Sequence, residues 1–239
     1  MSEASARAPI GLIGAMPEEL ERLLALAEGV QRERSGPFEL VRARLEGTAV
    51  VMATCGIGKV NAAALAQALA GAGVAAVIVT GVAGALDPAL RVGDLVVSRD
   101  AVQHDVDVTA LGYASGEVPG EPLTWSADEP LRAAALAAAR EVAKRDGVRC
   151  VLGRIASGDA FVADAEHAAR LHTRFEASCA EMEGAAVAQV CARWGVPWVV
   201  IRSVSDTADQ AAEIDFRAFT VVAAERAVAV VLGTLRRLA

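Results

Sequence analysis

The sequence predicts an α/β fold, a three-layer α/β/α sandwich around a central mixed β-sheet. Apolar, β-branched runs alternate along the chain with Ala-rich helical segments, the order expected of a sheet covered by helices on both faces. Residues 38–45 alternate apolar and polar side chains, Gly47 turns the chain, and residues 49–54 return as a continuous apolar run, so the sheet contains an antiparallel hairpin. The 239 residues are 54% hydrophobic but only 4% aromatic, enough to bury a large core of Ala, Val and Leu within one domain.

The elements follow in order. Residues 10–13 form a short apolar strand, and Pro17 opens a helix to about residue 27, because proline fits the first helical position. After the hairpin, Gly56-Ile57-Gly58 leads into a helix over 62–69, and a buried strand over 76–80 ends at Gly81-Val82-Ala83-Gly84. Residues 62–86 carry no charge and are long enough to span a bilayer, yet Gln67, Gly71 and Gly73 split them into helix, turn and strand. A further strand covers 94–102. Residues 104–122 read as a loop, with Gly112, Gly116, Pro119, Gly120, Pro122 and the sole tyrosine, Tyr113. Then come a helix over 131–144, a strand over 148–157, a short helix over 166–172, a helix over 184–194, a strand over 198–204 and a closing helix over 216–238. Residues 1–8 are expected to be a loose tail and 9–239 a single domain.

Composition narrows the chemistry. A net charge of −7 without a basic cluster makes nucleic acid and anionic membrane surfaces poor partners. Cys55, Cys150, Cys179 and Cys191 lack C-x-x-C spacing and the chain has three histidines, so a metal site is not expected. His104, Asp105 and Asp107 have no further His or Cys at ligand spacing. The N-terminus has no apolar stretch of the secretory kind, and a reducing cytoplasm is the expected setting.

Three acidic segments stand where strands end: GAMPEE at 14–19, AEMEG at 180–184 and SVSDTAD at 203–209. The carboxyl edge of an α/β sheet is where ligands bind. Carboxylates gathered there with few cations suit hydroxyl binding, water activation and proton donation rather than anion binding. Glu181, Met182 and Glu183 are equally readable as a sugar-binding trio or as a helix start favoured by the dipole. Asp206, at a strand end, is either a proton donor withdrawn from water or an N-cap. Arg202 is a buried ion-pair partner for a glutamate or an edge residue. Glu18 and Glu19 follow Pro17, where the helix dipole alone would favour them; Glu19 is also a candidate base for water. Gly56-Ile57-Gly58-Lys59-Val60-Asn61 lacks the spacing of a phosphate-binding loop, and Ser157-Gly158-Asp159 does not match a nucleophile elbow.

Read together, eight ordered blocks resemble the bacterial 5′-methylthioadenosine/S-adenosylhomocysteine nucleosidases: IGLIGAMPEEL at 10–20, CGIGKVNAA at 55–63, TGVAGAL at 80–86, VGDLVVS at 92–98, HDVDVTALGY at 104–113, SGDAFV at 157–162, AEMEGAAVAQVC at 180–191 and IRSVSDTAD at 201–209. The resemblance implies a nucleoside phosphorylase-like fold, a homodimer, no metal or cofactor, and hydrolysis of the bond between adenine and a 5′-thio-substituted ribose. It implies that Asp206, supported by Ser205, protonates adenine and that Glu19, assisted by Arg202, activates water. Glu183, Met182 and Glu181 would surround the ribose, with Ala83 and Gly84 at the substrate. Phe161 and Val162 would hold the base, and Ile57 and Phe216 would flank the 5′-thio group. Val108, Leu111, Tyr113 and Pro119 would close that pocket from the other subunit.

Val82, Ala85 and Gln103 depart from the family pattern, which often has serine, glycine and an aromatic there. Three rivals remain: a phosphorylase of the same fold, disfavoured by Glu18 and Glu19 where a phosphate would enter; a futalosine-type hydrolase; and a nucleoside-binding protein without catalysis.

Overall fold

The computed structural model describes residues 8–208 and 212–239, and for residues 213–218 the backbone only. The predicted tail at 1–7 lies outside the described residues. Strand β1 (Ile10–Gly14) is fully buried and pairs in parallel with β4 (Thr48–Thr54) on one side and β5 (Ala76–Ala85) on the other. Beyond β4 come the antiparallel strands β3 (Phe38–Leu45) and β2 (Glu28–Ser35). The predicted hairpin is therefore present, turned at Gly47, whose φ of 76° suits glycine.

On its other flank, β5 pairs with two strands, β9 (Ala177–Glu181), antiparallel, and β10 (Trp198–Asp206), parallel. From β10 the ladder continues through β6 (Leu95–Gln103) and β8 (Cys150–Ser157) to β9. Strands β5, β10, β6, β8 and β9 thus close a ring, and β1, β4, β3 and β2 extend from it as an open sheet. The short β7 (Trp125–Ser126) adds to β6. The mixed sheet of the predicted sandwich is present, and closure at one end is what the sequence pattern does not contain.

Helices cover both faces. α2 (Lys59–Gly71) packs with α5 (Gly184–Trp194); α3 (Glu129–Asp146) packs on α6 (Ala212–Leu238), which lies over β5 and β10. A short α1 (Glu21–Leu26) and α4 (Ala165–Phe175) complete the set. Leu12, Ile13, Val51, Met52, Val77 and Ile78 form the centre of one continuous core with the helix-borne Leu65 and Leu69. Among the described residues, no helix is long and apolar enough to cross a membrane.

Five elements differ from expectation. β2 carries Glu28, Arg32, Glu33 and Arg34 and is exposed on nearly every residue, so it has no apolar face to betray it. β9 and β7 are too short for periodicity. The segment after Pro17 is a 3-10 turn, Pro17–Glu19, before α1. β5 runs five residues past Thr80, through the glycines that read as its end. Those glycines stay in the strand because functional side chains cross over them: a Cβ at Gly81 would collide with Glu19 and Arg202, and one at Gly84 would lie 2.8 Å from Asp206 Oδ2.

Candidate active site

β5 is the hub on which the acidic groups meet. Glu19 sits on the turn after β1, Glu181 ends β9, Glu183 precedes α5, and Asp206 ends β10. A cavity of about 240 Å³ opens among them. Glu19, Met182, Glu183, Asp206, Ile57 and Phe161 line it, with Ala83, Gly84, Glu181 and Ser205 also on its wall. Val162 borders a smaller hollow that shares Phe161, Met182 and Asp206 with the main one. Among the described lining residues there is neither Lys nor Arg.

Glu19 is 2% exposed, whereas its neighbour Glu18 faces outward. Glu19 Oε2 accepts from the Ala15 amide at 2.6 Å and the Met16 amide at 3.0 Å; Oε1 accepts from the Val82 amide at 3.1 Å. Burial pushes its carboxyl above the usual range, while Arg202 and these amides pull the other way. The backbone of Val82 thus holds Glu19, and its side chain packs with Ala223 and Ala224 of α6.

Arg202, 1% exposed, lies behind the cavity wall rather than on it. Its Nη2 contacts Glu181 and reaches Glu183 Oε2 at 3.2 Å, and its Nη1 lies 3.8 Å from Glu19 Oε1. Burial alone would lower its pKa, but three carboxylates raise it well above the ordinary arginine value. Glu181 accepts from the amides of Gly184, at 2.8 and 3.0 Å, and Glu183, at 3.3 Å, and from the Ser157 hydroxyl. It therefore caps α5 while anchoring the arginine, which leaves little of its carboxylate for a ligand.

Glu183 has one oxygen on the Gly58 amide, at 2.9 Å, and the other on Arg202. Burial, reinforced by Glu181, pushes its pKa up to about 7 against the pull of Arg202 and Gly58. Asp206, 1% exposed, accepts from the Ser205 hydroxyl on Oδ1 at 2.7 Å and from the Ala208 amide on Oδ2 at 3.0 Å.

The structure brings together Glu19, Glu181, Met182, Glu183, Ser205, Asp206, Ile57, Phe161, Val162, Ala83 and Gly84. It does not bring Val108, Leu111, Tyr113 or Pro119 to the cavity of the same chain; Leu111 is 75% exposed. The Phe216 side chain lies outside the described residues. Sequence reasoning missed Ser157, Gly81 and the Ala15, Met16 and Val82 amides. Ser157 ends a strand at the ligand-binding edge, a signal that was available, whereas backbone amides carry no residue-type signal at all.

A family model described as the phosphorylase superfamily matches residues 9–236. Over 226 residues the chain is 44% identical to the 5′-methylthioadenosine/S-adenosylhomocysteine nucleosidase of Geobacillus kaustophilus, covering 94% of this chain and 95% of that protein. The crystal structure of the corresponding nucleosidase from Neisseria meningitidis, in complex with methylthio-immucillin-A, matches with a TM-score of 0.91 at 40% identity, covering 95% of this chain and 98% of that one. The native structure of the futalosine hydrolase of Helicobacter pylori matches with a TM-score of 0.88 at 35% identity, over 95% and 97% of the two chains. The chain belongs to the phosphorylase superfamily and, within it, to the 5′-methylthioadenosine/S-adenosylhomocysteine nucleosidase family.

Gly81→Ala forces a methyl into Glu19 and Arg202; thermal unfolding should show a loss of about 1–3 kcal/mol, the usual cost of overpacking. Unchanged stability would mean that the two side chains have room to move. Glu183 gives a pH signature. Its pKa is higher in the folded state than the ordinary glutamate value of 4.5, so the native protein holds a proton that the unfolded chain has lost, and stability falls as pH rises from about 4.5 to about 7. Glu183→Gln removes that loss. Denaturant titrations should therefore show the variant gaining about 2 kcal/mol on the parent between pH 5.5 and pH 8, and a pH-independent difference would contradict the raised pKa.

Proposed function

We propose that the protein hydrolyses the N-glycosidic bond of 5′-methylthioadenosine and S-adenosylhomocysteine, releasing adenine and the 5′-thioribose, with 5′-deoxyadenosine as a further substrate. The observation that carries this is the meeting of Glu19, Glu183 and Asp206 around one cavity whose described lining holds no cation. The names of the relatives supply the substrate. The reaction would serve methionine salvage and recycling of the methyl cycle, in the cytoplasm.

The chemistry divides between the two ends of the cavity. As the bond from C1′ to N9 breaks, its electron pair leaves with adenine, and Asp206 delivers a proton to N7 that neutralises the departing base. The ribose ring becomes cationic, a charge that nearby carboxylates stabilise. Water adds its oxygen to C1′ and gives a proton to Glu19, whose raised pKa makes it a stronger base than an exposed glutamate. Glu183 accepts hydrogen bonds from ribose hydroxyls, with Met182 packed beside the sugar. Ser205 orients Asp206, and Arg202 acts through Glu19 and Glu183 rather than on substrate.

Phosphorolysis is disfavoured for an electrostatic reason. A phosphate dianion needs a basic cradle, and Arg202, the arginine behind the cavity wall among the described residues, is already committed to three carboxylates. Val108, Leu111, Tyr113 and Pro119, which do not line the cavity of their own chain, suit a homodimer in which each subunit closes the other's 5′ pocket.

Adenine release from methylthioadenosine should proceed equally with and without phosphate, and Asp206→Asn and Glu19→Gln should each lower kcat by about 10²-fold or more while nucleoside affinity changes little. Phosphate dependence would point to a phosphorylase, and near-normal turnover in either variant would remove that residue from its role. Futalosine belongs in the same substrate panel, given the likeness to the Helicobacter pylori hydrolase.

A further inference from the structure

Beside the cavity lies a charged cluster that the chemistry above does not use. Lys59 Nζ donates to Asp105 Oδ1 at 2.6 Å and to Gln103 Oε1 at 3.0 Å. The second oxygen of Asp105 accepts from the Asp159 amide at 2.9 Å, and Asp159 Oδ1 accepts from the Lys59 amide at 2.8 Å. The bonds form a closed circuit joining three segments that follow β4, β6 and β8. The Lys59 and Asp105 side chains are 15% and 29% exposed, so the ion pair is partly withdrawn from water but still open to screening by concentrated salt.

Two of the joined segments end on the cavity. Ile57 and Gly58 immediately precede Lys59, and Phe161 follows Asp159 by two residues. Ile57 and Phe161 line the cavity while remaining about half exposed, so they stand at its rim. Gly58 donates its amide to Glu183, and a Cβ on it would meet Asp159 Oδ1 at 3.2 Å, which shows how closely the first and third segments approach.

We propose that Lys59 and Asp105 are positioning residues whose ion pair clasps the rim of the cavity, holding Ile57 and Phe161 at the separation that grips a nucleoside and keeping the Gly58 amide on Glu183. The inference rests on the nucleoside function proposed above. Neither residue touches the reacting atoms, so the clasp contributes to binding by ordering the rim before the ligand arrives, which lowers the entropy lost on association. Bond cleavage depends on Glu19 and Asp206 and does not pass through it.

The test combines kinetics of adenine release from methylthioadenosine by Lys59→Met, Asp105→Ala and the double variant with amide hydrogen exchange. KM should rise about fivefold in each single variant while kcat stays within about twofold, and the double variant should resemble the singles because all three lose one shared interaction. The Gly58 and Asp159 amides should exchange faster, with β1 unaltered. Unchanged KM in both singles, losses that multiply in the double, or exchange that rises throughout the protein would each overturn the clasp. Should a variant fail to fold, the parent protein decides: its Gly58 and Asp159 amides should exchange faster in about 1 M NaCl than at low salt, and no change would overturn the clasp. A parent that releases no adenine would defeat the proposed function instead, leaving the exchange measurements to judge the clasp.

Discussion

The site depends on one enclosed guanidinium serving three carboxylates. Arg202 touches Glu181 and Glu183 and stands near Glu19, and all four side chains are almost wholly removed from water. Were every acid ionised, the group would carry two uncompensated negative charges, and such charges cost several kcal/mol each to bury. The cluster relieves that cost in two ways. Backbone amides from four separate segments, at Ala15, Gly58, Val82 and Gly184, donate to the carboxylates, and burial raises the pKa values of Glu19 and Glu183, that of Glu183 to about 7. A strained charge balance of this kind is what proton transfer at neutral pH requires.

The fold makes room for that balance through β5. It is paired to three other strands, and these partners, β1, β9 and β10, carry Glu19, Glu181 and Asp206 at or just beyond their ends. Closing five strands into a ring brings the ends of β9 and β10 to the same strand, a meeting that an open sheet of the same order would not produce. Gly81 and Gly84 are the complement of this crowding: they surrender side chains so that Glu19, Arg202 and Asp206 can lie across the strand.

Membership of a superfamily named for phosphorylases does not by itself fix the nucleophile, because a fold hosts several chemistries. Here the distinction lies in charge. The wall that would receive phosphate is occupied by Glu19, held by three amides and backed by an arginine whose charge is already shared among three carboxylates. Water, being neutral, meets no such barrier. The rim differs again: it is apolar and half exposed, and its order comes from bonds formed outside the cavity, at Lys59, Asp105 and Asp159.

Much of this was legible in the residues. Alternating apolar runs marked β1, β4, β6, β8 and β10, because each buries side chains against a helix layer, and the acidic clusters at strand ends marked Glu19, Glu183 and Asp206. β2 escaped because both its faces meet solvent, and β5 was cut short because glycine reads as a break wherever the reason for it lies in another segment. The sequence by itself determined which groups can give or take a proton and which stretches must be buried. Only the tertiary structure decided that Glu19 rather than Glu18 turns inward, that Glu181 caps a helix and anchors Arg202, and that Arg202 stands behind the wall. Those outcomes depend on distances between residues as much as 183 positions apart, such as Glu19 and Arg202, and local pattern carries no information about contacts formed by ring closure.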